Sequence, residues 1–381
     1  MKVALVHDQL KEFGGAERVF IALKECFPDA DVYTSFYDPK TLGKHAKRFE
    51  GWHIKTSWVQ KIPYFGKIYS PLRFLAPYIW ESLNFRGYDL VISSSGWYMS
   101  KGIITAPETT HICYIHHQPR YLYYYETAME WQKYPLVRMY AHLINSGLRI
   151  WDFLSSQRPD FFIANSKETK ARVHKFYRRH ADVIYPPVSI PQKMTVTKTD
   201  ISEKGYYLTL SRLTRAKHIN VLIRAANKYG FTLKIGGSGS DLPYLKSIAG
   251  PTVEFLGTVS DADFHNLFAG AKAFLNAAID EEFGISVVEA MGHGLPVIGY
   301  ASGGVKETIN DGENGYLYAE LTPESLYEKI KELESLGSTT YTQMKKTARK
   351  SAEQYSLEEF KKKIHSFVTS KMETYKKDLY A

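Results

Sequence analysis

The chain has 381 residues, 44% of them hydrophobic, and carries 49 Lys and Arg against 40 Asp and Glu, a formal net charge of +9. That length suits two buried cores, and the only cysteines, Cys26 and Cys113, lie far apart without metal-ligand spacing, which fits a reducing compartment and not a disulfide framework. The apolar start is broken at His7-Asp8, too short for a signal-peptide core, and no apolar run approaches the ~18 residues that span a bilayer. A cytoplasmic protein, at most peripheral on a membrane, is expected.

In chain order, Val3-Ala-Leu-Val6 reads as a buried strand, followed by Gly14-Gly15 and an apolar-periodic helix from Ala16 to Cys26. Asp31–Thr34, Asp89–Ser93, His111–Ile115 and Asp160–Ala164 read as further strands. Between His45 and Trp80, Lys47, Arg48, Lys55, Lys61, Lys67 and Arg73 alternate with Trp52, Trp58, Tyr64, Phe65, Tyr69, Phe74 and Tyr78. Such a band suits an anionic membrane surface or a lipid-linked acceptor. The alternative is a solvated face whose rings belong to the core. No nucleic-acid-binding module is visible, so no nucleic-acid partner is expected.

The rhythm breaks at Tyr185-Pro186-Pro187-Val188, and the polar stretch from Gln192 to Lys204 reads as a linker or loop. Strands resume at Tyr206–Leu210, Thr232–Ile235, Val253–Leu256, Ala273–Asn276 and Val297-Ile298, with helices from Ile219 to Lys228 and Asp261 to Ala269. Ser356 to Tyr380 reads as a long amphipathic helix. Strands alternating with helices imply parallel pairing. The expected fold is α/β, with two Rossmann-like doubly wound domains facing an interdomain cleft: 1–186, 187–355, and a helix over 356–381 crossing back to the first.

The densest chemistry lies in Asp280-Glu-Glu-Phe-Gly-Ile-Ser-Val-Val-Glu289. A Phe283-Gly284 turn leads into a short helix opened by Ser286, stopped by Gly292-His293-Gly294 and sealed by Pro296. Glu281 then stands just ahead of the helix and Glu289 about two turns along it. Between them, Gly284 and the free N–H groups of Ile285 and Ser286 attract a phosphate, while the carboxylates accept from vicinal hydroxyls. Phosphate plus polyol describes a nucleotide sugar. Upstream, Arg212 leaves the Tyr206–Leu210 strand and Lys217 follows after a short loop, two cations able to hold a departing diphosphate.

Gly236-Gly237-Ser238-Gly239 lacks the third glycine of a dinucleotide fingerprint and reads as a tight turn beside a nucleotide. Gly257-Thr258-Val259 offers backbone groups to a base edge, and Gly14-Gly15 lets the chain approach a diphosphate or sugar. A plain tight turn is the alternative for each glycine loop. Asp261-Ala-Asp263, after Ser260, reads as helix capping, and Asp29-Ala-Asp31 as a turn. No metal or other cofactor is expected.

These residues resemble glycosyltransferase family 4, retaining enzymes of the GT-B fold, over nearly the whole chain. Val6-His7-Asp8, Phe27–Asp31, Tyr88–Ser95, His111–Tyr114, Phe162–Ser166 and Val183–Val188 resemble the branch containing O-antigen mannosyltransferases. The resemblance implies that Glu289 binds the ribose hydroxyls, Glu281 lies by the sugar, and Gly284 and Ile285 give amides to sugar and phosphate. It implies that Arg212 and Lys217 hold the diphosphate and that Gly15 closes over it. It places a histidine after the Ile-Cys-Tyr strand near the donor sugar, which is His116 here. Where the family has His-Thr-Pro this chain has His116-His117-Gln118-Pro119, so His116 and His117 both stand as candidates.

The expected function is transfer of a hexose, mannose from GDP-mannose first, to a glycan or lipid-linked acceptor in surface polysaccharide synthesis at the inner membrane face. A UDP-sugar donor and a nucleotide-sugar epimerase are alternatives on the same fold. A non-catalytic module binding anionic lipid or nucleic acid is the alternative from another class.

Overall fold

The computed structural model describes residues 1–127, 131–191, 205–259 and 261–380. The polar stretch Gln192–Lys204 and the capping expected of Ser260 lie outside them. The chain divides into two compact units, one built of Met1–Tyr125, Trp131–Pro187 and Leu357–Ala381, the other chiefly of Val188–Ser356.

The first unit holds seven strands: β1 (Val3–His7), β2 (Asp31–Thr34), β3 (Ile54–Thr56), β4 (Leu90–Ser95), β5 (Thr110–Ile115), β6 (Phe161–Ala164) and β7 (Asp182–Val183). They pair in parallel in the order β3-β2-β1-β4-β5-β6-β7. A parallel sheet is covered on both faces, so its inner strands are continuous apolar runs. Along β1 the side chains alternate: Val3 and Leu5 enter one core, Ala4 and Val6 another. The Val3–Leu5 side is covered by the helix Gly15–Cys26 and by the C-terminal helix Leu357–Tyr380, whose Phe360, Ile364 and Val368 meet Val19, Phe20 and Leu23. Lys361 pairs with Glu25 at 2.6 Å, and the Tyr375 hydroxyl donates to the Pro107 carbonyl.

The second unit holds β8 (Tyr206–Leu210), β9 (Leu233–Gly236), β10 (Val253–Gly257), β11 (Ala271–Asn276), β12 (Val297–Tyr300) and β13 (Gly315–Tyr318). They are again all parallel, in the order β10-β9-β8-β11-β12-β13. Helices Ile219–Tyr229 and Pro323–Glu334 cover one core, burying Leu222, Ile223, Leu326 and Ile330 against Tyr207, Leu233, Ile235 and Leu275.

Three strands escape the sequence pattern: β3, β7 and β13. Each lies at a sheet edge, where a short segment with one neighbour needs no long apolar run. Among the helices the sequence pattern leaves unmarked is the 21-residue Pro135–Ser155. Its buried seam is Ala141, Asn145, Leu148, Asp152 and Ser155, small or polar for the most part, while most of its large apolar side chains point outward. The apolar pattern there marks the wrong face.

The basic aromatic band divides between the two alternatives. Phe65 is buried, Arg73 is enclosed against Asn145 and the Tyr121 and Tyr140 rings, and Lys55 pairs with Asp31 at 2.9 Å. Trp58, Tyr64, Phe74 and Tyr78 remain exposed. Asp31 is a structural carboxylate, held well below its usual range by hydrogen bonds from Tyr88, His53 and Lys55.

Both cysteines are buried thiols, and burial pushes Cys26 up to about 11 and Cys113 up to about 12. His111 on β5 is also enclosed, with Nε2 at 2.9 Å from the Ser93 hydroxyl. Burial, with Arg158 and Arg179 nearby, lowers it from 6.5 to about 3. The unfolded chain therefore takes this proton near pH 6.5 and the folded chain only near pH 3. Stability from this group is complete above pH 6.5 and falls as pH drops towards 3, with a slope of about 1 kcal/mol per pH unit. His111→Gln is expected to flatten that slope in denaturant midpoints measured across the window; an unchanged slope would remove His111 as its source.

Candidate donor-binding site

In parallel α/β sheets ligands gather at the carboxyl ends of the strands, and each unit carries a polar cluster there. In the first unit, β1, β4 and β5 lie side by side, and His7, Ser94 and His116 stand at or just beyond their carboxyl ends. The Ser94 hydroxyl lies 3.0 Å from His7 Nδ1 and 2.8 Å from His116 Nε2. His7 Nε2 lies 3.4 Å from Glu17 Oε1, and Glu17 Oε2 accepts the Gly14 N–H at 2.7 Å. A continuous line of hydrogen-bonding groups thus runs from the glycine loop to His116. Gly14 is the extended residue capping the helix that Gly15 opens.

His116 is buried, and Asn165 donates to its carbonyl at 2.9 Å. His117 is half-buried, its Nδ1 bonded to the Gln118 carbonyl at 2.8 Å. The buried Gln118 amide has no protein partner for either polar atom, a costly arrangement for a group removed from water. His7, Ser94, Glu17 and Gln118 were missed as site residues. The position of His7, Ser94 and Gln118 at strand ends or just beyond was the signal available. Asp8 organises the next loop: its carboxylate accepts the backbone N–H groups of Gly96, Tyr98 and Ser100 at 2.9, 2.8 and 2.8 Å.

In the second unit, β8 ends before Ser211-Arg212, and a 3-10 turn over Arg215–Lys217 leads through His218 into Ile219–Tyr229. Arg212 is exposed at the carboxyl end of β8. The Ile279 N–H donates to the Ala216 carbonyl at 3.2 Å, which ties this turn to the loop after β11. Across that link the Lys217 ammonium pairs with the Glu281 carboxylate, both groups partly exposed to solvent. Gly304 N–H donates to the Glu281 carbonyl at 2.7 Å, and a Cβ on Gly303 would come within 2.2 Å of that oxygen. The Gly303-Gly304 backbone therefore lies directly against the Glu281 loop.

The helix after that loop spans Ile285–Gly292 and is capped by Gly284 in the left-handed region (φ 86°), not opened by Ser286 as expected. Only glycine adopts that conformation without strain, so the chain turns one residue earlier. Glu289 is the fifth residue of the helix, just over one turn in where two were expected, half-buried, with its carbonyl accepting from His293. Phe283 is buried edge-on to Tyr355.

Gly237 has φ 129°, and a Cβ there would stand 1.9 Å from the Ser211 carbonyl oxygen. Gly239 is packed as closely on Leu213. Contact between two backbone segments is thus sufficient reason for these glycines. Val259, half-buried, lies over Gly236. Lys217 and Glu281 are brought into contact; Gly237 and Val259 belong to the neighbouring β9 and β10 ends, and Gly14, Gly15 and His116 to the first unit.

Two family models fit this chain, one described as Glycosyltransferase Family 4 over residues 13–191, the other as Glycosyl transferases group 1 over 195–351. The chain belongs to this family of glycosyltransferases. Its fold is GT-B, as in the crystal structure of HepE from Anabaena in complex with UDP and glucose, which it matches with TM-score 0.68 at 20% identity over 97% of this chain and 100% of that one. It is 28% identical over 248 residues to the GtfA subunit of the UDP-N-acetylglucosamine–peptide N-acetylglucosaminyltransferase of Streptococcus pneumoniae, covering 62% of this chain and 47% of that protein. It is 29% identical over 108 residues to a GDP-mannose-dependent alpha-mannosyltransferase of Corynebacterium glutamicum, covering 28% of this chain and 26% of that one. The chain spans about half the length, or less, of the curated relatives it matches.

Proposed function

We propose that this chain is a retaining glycosyltransferase that moves a hexose from a nucleotide-diphosphate sugar to a glycan or lipid-linked acceptor at the inner face of a membrane. The observation that carries the reading is the Lys217–Glu281 pair three residues ahead of the Gly284-capped helix. An arriving diphosphate competes with Glu281 for the Lys217 ammonium, and the released carboxylate accepts a sugar hydroxyl. Arg212, Lys217 and the first-turn amides at Ile285 and Ser286 then stabilise the departing charge. In front-face transfer the bond from the anomeric carbon to the phosphate oxygen breaks as the acceptor oxygen bonds to the same face, and the acceptor proton passes to the leaving phosphate. The positive side chains supply the charge neutralisation, so no metal enters the proposal. Turnover is expected to persist in excess chelator, and loss reversed by an added divalent ion would overturn that part.

Mannose from GDP-mannose is the first reading of the donor, from the motif resemblance. A UDP-sugar is the second, favoured by the longer similarity to the pneumococcal GtfA subunit. Calorimetric titration with GDP-mannose, UDP-N-acetylglucosamine and UDP-glucose decides between them, and binding of none would end the proposal. Glu289→Ala is expected to weaken donor binding by about ten- to a hundredfold, the cost of hydrogen bonds to a charged group. His116→Ala should chiefly lower turnover. Unchanged donor affinity in Glu289→Ala would exclude the ribose role. An epimerase would convert the donor with no acceptor present.

A further inference from the structure

The helix Pro135–Ser155 is amphipathic the wrong way round for a helix that only packs on its own sheet. Leu136, Met139, Leu143, Ile150 and Leu154 are all exposed, Leu136 by 77% and Leu143 by 72%. At about 100° per residue they fall within one narrow arc, opposite the buried seam of Ala141, Asn145, Leu148 and Asp152. A second segment adjoins this stripe: the Tyr140 hydroxyl donates to the Pro71 carbonyl, and Arg73 bonds Asn145 at 3.2 Å. That segment contributes exposed Tyr64, Ile68, Phe74 and Tyr78, with the Trp58 indole N–H reaching the Tyr78 carbonyl.

Charge separates the occupants. Residues 51–80 contain no Asp or Glu, and the helix carries one acidic residue, Asp152, buried on Lys101. The exposed charges of these two segments are cations, among them Lys61, Lys67 and Arg138. A contiguous apolar face of this kind marks an interaction site, and its cationic, aromatic-rich surround matches the headgroup layer of an anionic bilayer. Among the described residues no helix is long and apolar enough to cross a membrane.

We propose that the outer face of Pro135–Ser155, together with the exposed rings of residues 58–78, inserts at the interface of an anionic lipid bilayer, with Lys61, Lys67 and Arg138 against the headgroups. This deepens the reading above by assigning the surface that holds the protein at a membrane, and it rests on that reading only for its purpose.

The test is co-sedimentation of the full chain with phosphatidylcholine vesicles, with and without phosphatidylglycerol, at low and raised salt. Wild type is expected to partition onto the anionic vesicles, less as salt is added. Leu136→Glu/Leu143→Glu is expected to lower partition at least about tenfold, and Lys61→Glu/Lys67→Glu about tenfold or more. Donor affinity by calorimetry should be unchanged in both variants, which shows that they are folded. A leucine variant that partitions like wild type overturns the proposal. So does a wild type that ignores vesicles but forms a dimer in light scattering that the leucine variant abolishes, since the occupant is then a second copy. Vesicle binding without donor binding would sink the glycosyltransferase reading and leave this one standing.

Discussion

Lys217→Ala is expected to lower kcat by about a hundred- to a thousandfold, the usual loss when one preorganised charge or donor facing a developing anion is removed. Its ammonium is held by Glu281 at the carboxyl edge of the second sheet, a position fixed by the bond from Ile279 to Ala216. Both partners keep some solvent contact, so the ion pair itself adds little to stability. The variant should therefore melt close to wild type while losing turnover. Lys217→Arg should retain part of the rate, since the charge survives while its point-like geometry does not. Turnover within a few-fold of wild type in Lys217→Ala would refute the diphosphate role, and a large loss of stability would make the residue structural.

The largest expected effect on stability is at Lys101. Its ammonium pairs with Asp152, and both side chains are essentially excluded from solvent. The second Asp152 oxygen accepts the Tyr123 hydroxyl at 2.6 Å, and the Tyr177 ring lies 5.0 Å from the ammonium. Lys101→Met leaves a carboxylate buried without its counter-charge, which costs about 3–5 kcal/mol, a large share of the stability of an ordinary domain. Replacing both partners in Lys101→Met/Asp152→Leu should recover part of that loss, because the desolvation of both charges disappears as well. Urea midpoints of the two variants test this, and a single variant as stable as wild type would contradict it. Since Asp152 lies on Pro135–Ser155, this pair also anchors the helix bearing the outward apolar stripe.

Much of the architecture was legible because buried parallel strands are apolar without interruption. Val3–Val6, His111–Ile115 and Tyr206–Leu210 could be little else, and Phe360, Ile364 and Phe367 marked the last helix. Lys217 and Glu281 were recognisable for the same local reason: a charged residue a few positions past a buried strand stands at the carboxyl edge of the sheet, where ligands gather. Gly284 shows the limit of local patterns. Serine is the commoner cap, but the left-handed turn at the glycine decides the start.

The sequence by itself therefore determined the α/β class, the parallel strands and the positions at which cations and carboxylates meet the carboxyl ends. Local propensity and burial act over a few residues, and these features need nothing more. Tertiary structure alone decided which strand ends are neighbours: the contact of His7, Ser94 and His116 depends on β4 inserting between β1 and β5. It decided that Gly237 serves close packing against Ser211, and that Leu136, Leu143 and Leu154 of Pro135–Ser155 face outward. Such contacts join residues many positions apart, and their energies exist only once the chain has brought them together.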